Sequence, residues 1–296
     1  MLQAISPIHD THHERRRKNS LASLTASLRD NKRHLLLAAS GSVATIKLPL
    51  IIESLAKRHA ERDSSKELSI RVLLTPSATR FLAGQSREQP PVSSLLSMPC
   101  VDGVYMDADE WKEPWKRGDS ILHIELRRWA DLLVIAPLSA NTMAKIVGGF
   151  ADGILTSVVR AWDAWGELDS DLAAPDGEQA PVNGNRRRKQ KKHIIVAPAM
   201  NTAMWRHPVT AKSLRVLEEE WGVNRSSKKA AQVATEEEGQ AAEEQKQDVT
   251  SEDDGGWFEV LRPQSKTLAC GDVGDGAMMD WRDIVAVIED RLELNE

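Results

Sequence analysis

Cysteine is scarce in this chain: Cys100 and Cys270 are the only two among 296 residues. Two thiols cannot build a disulfide framework, so a reducing, cytoplasmic setting is the default expectation. Long apolar runs are missing as well. None reaches the ~18 residues that cross a bilayer, and the N-terminal stretch lacks the apolar centre of a secretory signal, so no membrane partner is expected. There is no excess of positive charge either. The formal net charge of −5 argues against a general nucleic-acid binder. Two phosphate-binding signatures are absent: no G-x-G-x-x-G, which argues against an ordinary dinucleotide site, and no Walker A sequence.

What is present alternates between two periods. Residues 34–39, 69–75, 130–136, 193–197 and 257–261 are short apolar runs with strand character. Between them, residues 43–58, 138–148, 154–164, 204–221 and 284–294 carry helical spacing. In the first helix Val43, Ile46, Leu50, Ile51 and Leu55 fall on one side, and Pro49 inside it should bend it. Residues 84–120 read as irregular, with Pro90, Pro91, Pro99 and Pro114. Near-continuous apolar strands alternating with helices predict an α/β fold, a doubly wound parallel sheet with right-handed crossovers.

Three segments break the pattern. Residues 1–32 are polar, with a basic run at 15–18, and read as a disordered basic arm. Its histidines, His9, His12 and His13, lack a coherent ligand set, and no metal is expected. Residues of about 165–192 and 224–256 look like disordered insertions. The expectation is one domain over residues 33–294, carrying the two insertions.

The chemistry-bearing residues gather at strand ends. Gly41, Ser42 and Val43 follow the first strand and open a helix, where backbone N–H groups and hydroxyls suit a phosphate. Thr75 and Ser77 end the second strand, and Ser139, Ala140, Asn141 and Thr142 end the third. Polar ends of parallel strands face one crevice, and with no dinucleotide fingerprint a mononucleotide such as FMN fits best. After the fourth strand come Ala199, Met200, Asn201 and Met204. Asn201 could cap the next helix, bind a ligand, or do both, and the methionines are either core or padding for a flat ring. Cys270 lies in a glycine-rich, acidic stretch that reads as a mobile loop, where a thiol could donate a proton. Cys100 has no such setting and reads as structural. His123, in apolar company, is a structural or a catalytic residue on these grounds.

Together these segments resemble the homo-oligomeric flavin-containing cysteine decarboxylases, in particular the phosphopantothenoylcysteine decarboxylases. The resemblance spans residues of about 33–163, 193–222 and 257–285, and the arm and insertions are similar to those of fungal members. It implies a flavodoxin-like (Rossmann-type) domain assembled as a homotrimer, with FMN near subunit contacts. It assigns Gly41, Ser42, Val43, Thr75, Ser77, Ser139, Ala140, Asn141, Thr142 and Ala199 to FMN. His123 would be catalytic across a subunit interface, Asn201 would hold the substrate carboxylate, and Cys270 would be the proton donor. Ala269 and Met278 would flank the substrate. The implied reaction converts 4'-phosphopantothenoylcysteine to 4'-phosphopantetheine in coenzyme A biosynthesis. Loss of CO2 from a cysteine carboxylate has no electron sink, and the resemblance implies that FMN provides one by oxidising the thiol side. The alternative the resemblance leaves is a regulatory flavoprotein subunit, which inhibits a Ser/Thr protein phosphatase or completes a heterotrimer with paralogues. A peptidyl-cysteine decarboxylase is a further relative.

Overall fold

The structure, a computed structural model, describes residues 19–62, 66–166, 168, 191–223, 255–267 and 273–294. In chain order the first elements are α1 (Leu21–Ala26), β1 (Arg33–Ala39), a 3-10 turn (Val43–Lys47), α2 (Leu48–Glu61) and β2 (Leu68–Leu74). Then come α3 (Pro76–Thr79), α4 (Val92–Leu95), β3 (Val101–Met106), α5 (Asp107–Glu110), α6 (Leu122–Trp129) and β4 (Leu132–Leu138). They are followed by α7 (Ala140–Val147), α8 (Ile154–Arg160), β5 (His193–Pro198), α9 (Thr202–Trp205) and α10 (Pro208–Arg215). The last are β6 (Phe258–Val260), β7 (Gln264–Thr267), β8 (Val273–Ala277) and α11 (Trp281–Arg291).

Six strands form one parallel sheet in the order β3-β2-β1-β4-β5-β6. This is the doubly wound α/β fold expected. Successive residues of β1 point to opposite faces, and both faces are covered. Leu35, Leu37 and Ala39 join one apolar cluster with Ile51 and Leu55 of α2 and Ile288 of α11. Leu36 and Ala38 join the other with Leu126 of α6 and Val158 of α8. A strand buried on both sides has no polar face to alternate, hence its unbroken apolar run. No helix among the described residues is long and apolar enough to cross a membrane.

Several expectations change. Residues 19–32 are not part of a disordered arm. Leu24 of α1 is fully buried, and the Asn19 side chain pairs with the backbone of Val104 on the sheet edge, accepting from its N–H at 2.9 Å. That amide occupies groups an edge strand would otherwise leave open. The stretch 84–120 is not wholly irregular, because it contains edge strand β3. Pro49 does not bend a helix. The helix begins at Leu48, so Pro49 sits in its first turn, where a missing N–H costs nothing. Nor do all five apolar residues of 43–58 face the core: Val43 is 46% exposed and Leu50 37%. The residues from 204 to 221 are split into α9, α10 and a π turn at Val216–Glu220.

Most of both expected insertions lies outside the described residues, but their ends belong to the fold. Trp165 and Trp221 both pack on Trp257, and Gly255 and Gly256 are buried.

Candidate functional site

The strand order reverses between β1 and β4, and Ser40 marks the place. Its hydroxyl donates to Pro137 O at 3.0 Å and accepts from Ser139 N at 2.7 Å, tying the two strand ends together. Diverging crossovers leave a crevice at such a point. Here it is a cleft of about 1200 Å³ at the carboxyl ends of the strands. Gly41, Ser42, Val43, Thr75, Ser77, Ser139, Ala140, Asn141, Thr142, Ala199, Asn201 and Met278 all line it.

The polar floor is made of helix starts. The ends of β1, β2, β4 and β5 each turn into a helix or 3-10 turn with a first N–H group held by a side-chain cap. Ser42 accepts from Ala44 N at 3.4 Å, Thr75 from Ala78 N at 3.3 Å and Ser139 from Thr142 N at 3.3 Å. Asn201 Oδ1 accepts from Met204 N at 2.8 Å. Several N-termini converging on one cleft give it N–H donors and a positive field suited to an anionic group. Gly41 is required by close approach: a Cβ there would lie 2.5 Å from Ser77 Cβ.

Asn201 is both cap and candidate ligand. Because Oδ1 is taken by a backbone N–H, the carboxamide orientation is set, and Nδ2 is left without a partner among the described residues. Both methionines line the cleft, Met200 from the core at 8% exposure and Met204 from the surface at 52%.

The apolar wall was not legible as such. Val43, Ile46 and Leu50 turn away from the sheet and line the cleft, with Phe81, Met204 and Trp281. In the sequence Ile46 and Leu50 look like core, since helical spacing does not say which apolar stripe faces solvent, whereas Val43 also stands at the first strand end. Lys47, Lys145 and Arg282 also line it. Lys145 pairs with Asp152 and holds that carboxyl below its ordinary range.

The far side of the cleft is closed by a hairpin that the sequence presents as a glycine-spaced loop. β8 pairs antiparallel with β7, and Met200 N donates to Gly276 O at 2.9 Å. A Cβ on Gly276 would meet Met200 O at 2.2 Å, so only glycine allows this approach. Arg206 donates to Asp275 at 2.8 Å and lowers its carboxyl below the usual value. Because the folded value is depressed, the pair is intact at neutral pH and is lost as pH falls through that value. Ala269 and Cys270 lie outside the described residues.

His123 is not brought into the cleft of its own chain. It occupies the first turn of α6, outside the lining residues, and its Nδ1 lies 2.7 Å from Glu110 Oε1. Glu110 drew no notice in the sequence, because the 13 residues separating the two match no local spacing.

Cys100 is half-buried at the foot of β3, and burial raises its thiol above the ordinary value. Less thiolate means slower alkylation. Treating the native protein with iodoacetamide at pH 8 should modify Cys100 about tenfold more slowly than after unfolding, as peptide mass mapping would read. Equal rates would remove the structural reading of this thiol.

The cleft has relatives. The Flavoprotein family model matches residues 23–254. A probable thymidylate synthase of Schizosaccharomyces pombe is 35% identical over 98% of this chain, which spans only 34% of that protein. A phosphopantothenoylcysteine decarboxylase of Arabidopsis thaliana is 34% identical over 84% of this chain and 80% of its own length. Among solved structures, a cysteine-to-serine mutant of PPC decarboxylase complexed with pantothenoylaminoethenethiol superposes with a TM-score of 0.53. It is 33% identical over 88% of this chain and 99% of its own. The FMN binding protein AtHal3 superposes with a TM-score of 0.51, 34% identical over 88% of this chain and 97% of its own.

Proposed function

This chain belongs to the Flavoprotein family, among the phosphopantothenoylcysteine decarboxylases and their HAL3 relatives, and on that premise we propose that it is an FMN-dependent decarboxylase of 4'-phosphopantothenoylcysteine. The observation that carries the proposal is the cleft itself. It joins capped helix starts, an apolar wall and the unpaired Asn201 amide in one space.

These residues fit a mononucleotide flavin. The N–H groups behind Ser42, Thr75 and Ser139 suit a phosphate, and Val43, Ile46 and Leu50 suit a flat ring. FMN, when bound, would supply the two-electron acceptor that a cysteine carboxylate lacks and would afterwards give the pair back, so that no net oxidation results. The chain's own parts do the rest. Asn201 Nδ2 donates to the substrate carboxylate and orients it. The hairpin at Gly276 and Met278 walls off water from that end. Cys270, which lies in sequence between β7 and β8, returns a proton to the product.

His123 completes the site from a neighbouring copy, because within one chain it lies outside the cleft lining. The assembly proposed is a homotrimer in which each cleft borrows the next subunit's α6. The same geometry suits a heterotrimer with paralogues, and a phosphatase-regulatory role would leave the cleft intact but idle.

One preparation tests the reading. The purified protein should be yellow, with a flavin spectrum, and should convert 4'-phosphopantothenoylcysteine to 4'-phosphopantetheine by mass. Yellow protein that makes no product would favour the partner-dependent or regulatory reading. A colourless preparation that takes up no added FMN would end it.

A further inference from the structure

The contact between His123 and Glu110 is built with more care than a surface ion pair needs. The Glu110 side chain is 6% exposed and the imidazole 20%. The other oxygen of Glu110, Oε2, is buried with no partner among the described residues. A carboxylate in that setting is costly unless a charge-assisted hydrogen bond compensates it, and the bond that does so here goes to an imidazole nitrogen.

The helix that carries Glu110 is pinned on both sides. Asp107 Oδ1 accepts from Ile154 N at 3.0 Å at the start of α8. Asp109 Oδ2 accepts from Met106 N at 2.9 Å and closes the helix on itself. Neighbouring carboxylates of α5 thus fix the backbone, and Glu110 projects from that fixed turn to His123. The imidazole's other nitrogen, Nε2, has no partner among the described residues.

We infer that Glu110 is a positioning residue for His123, holding the ring with its hydrogen on Nδ1 so that Nε2 is presented outward to the site it completes. The inference rests on the decarboxylase reading given above. A carboxylate can only accept, so the nitrogen facing it must carry the hydrogen. In the neutral ring that leaves the lone pair on Nε2, the form that can accept or relay a proton. Around metal-bound histidines such outer partners fix ring orientation and tautomer, and losing one typically costs about 10–100-fold in metal affinity or activity; a loss of the same order is expected here.

The test uses the full-length, FMN-loaded protein with Glu110→Gln, which keeps the volume and removes the charge. Nitrogen-15 spectra of histidine-labelled protein, with the His123 signals assigned by their loss in His123→Asn, read the ring directly. The wild type should carry a hydrogen on Nδ1 of His123, whether or not Nε2 is also protonated. In Glu110→Gln that hydrogen should move in a large fraction of molecules to Nε2. Turnover should fall about 10–100-fold while KM and flavin content change less than twofold. Glu110→Asp, one methylene too short to reach, should behave like Glu110→Gln rather than restore activity. Wild-type turnover in Glu110→Gln would overturn the inference, and so would a fall in turnover with the tautomer unchanged. Absence of product from the wild type would instead refute the decarboxylase reading, and the nitrogen spectra would still decide whether Glu110 sets the ring.

Discussion

Mixing two inactive variants should produce an active enzyme. His123→Asn removes the imidazole but leaves the cleft untouched. Asn201→Asp keeps an oxygen to cap Met204 N, so α9 still forms, but it replaces the free amide donor with a second carboxylate. The substrate carboxylate would then be repelled where it had been bound. Each variant alone should lose about 10³-fold or more in kcat/KM, equivalent to about 4 kcal/mol of transition-state stabilisation. Co-expressed, they assemble at random. A site is intact when one subunit contributes a good His123 and its neighbour a good Asn201, which holds for roughly a quarter of sites in a closed cyclic assembly. Recovery of about that fraction of wild-type turnover is the expected result. Recovery of none would mean that each chain uses its own His123, and the placement of α6 outside the cleft lining would then need another explanation.

The second large effect concerns flavin retention. Gly41→Ala puts a Cβ at 2.5 Å from Ser77 Cβ, well inside contact distance. Neither atom sits at the end of a flexible chain, so the Gly41 loop and the start of α3 must move apart. Both loops line the cleft, and their N–H groups are aimed at one place. Separation should weaken FMN binding at least tenfold, which is about 1.4 kcal/mol, as equilibrium dialysis or flavin fluorescence would measure. The clash has a specific remedy. Ser77→Gly removes the obstructing Cβ, so the double variant should bind FMN more tightly than Gly41→Ala alone, although it lacks the Ser77 hydroxyl. That is coupling between neighbours of the kind a double-mutant cycle isolates. If the two losses simply add, the close approach is not what makes Gly41 necessary. Unchanged FMN affinity in Gly41→Ala alone would reject the argument outright.

Legibility differed from element to element for physical reasons. β1, β2, β4 and β5 were readable because a strand buried on both faces is apolar along its whole length. β3 was not, since its Val101–Met106 run includes Asp102 and Gly103 and follows a proline-rich stretch. What makes it a strand is its pairing with β2, together with the Asn19 amide on its outer edge. α1 escaped notice for a similar reason: its single fully buried residue, Leu24, carries no periodicity. β8 looked like a loop because glycines dominate it, yet Gly276 is there so that Met200 can approach, which is a tertiary requirement.

The amino-acid sequence by itself determined the alternation of strands and helices, the polar residues at the strand ends, and Asn201 as a candidate helix cap. Each of these is written in local pattern, as runs, caps and spacings within a few residues. Only the tertiary structure decided what meets what. It turned Ile46 and Leu50 from core into the wall of a cleft, joined Ser40 to Ser139 across 99 residues, set Glu110 against His123, and left that histidine outside its own chain's site. Contacts between distant segments depend on how the strands order themselves in the sheet. That order is a property of the packed whole, which no local window of sequence contains.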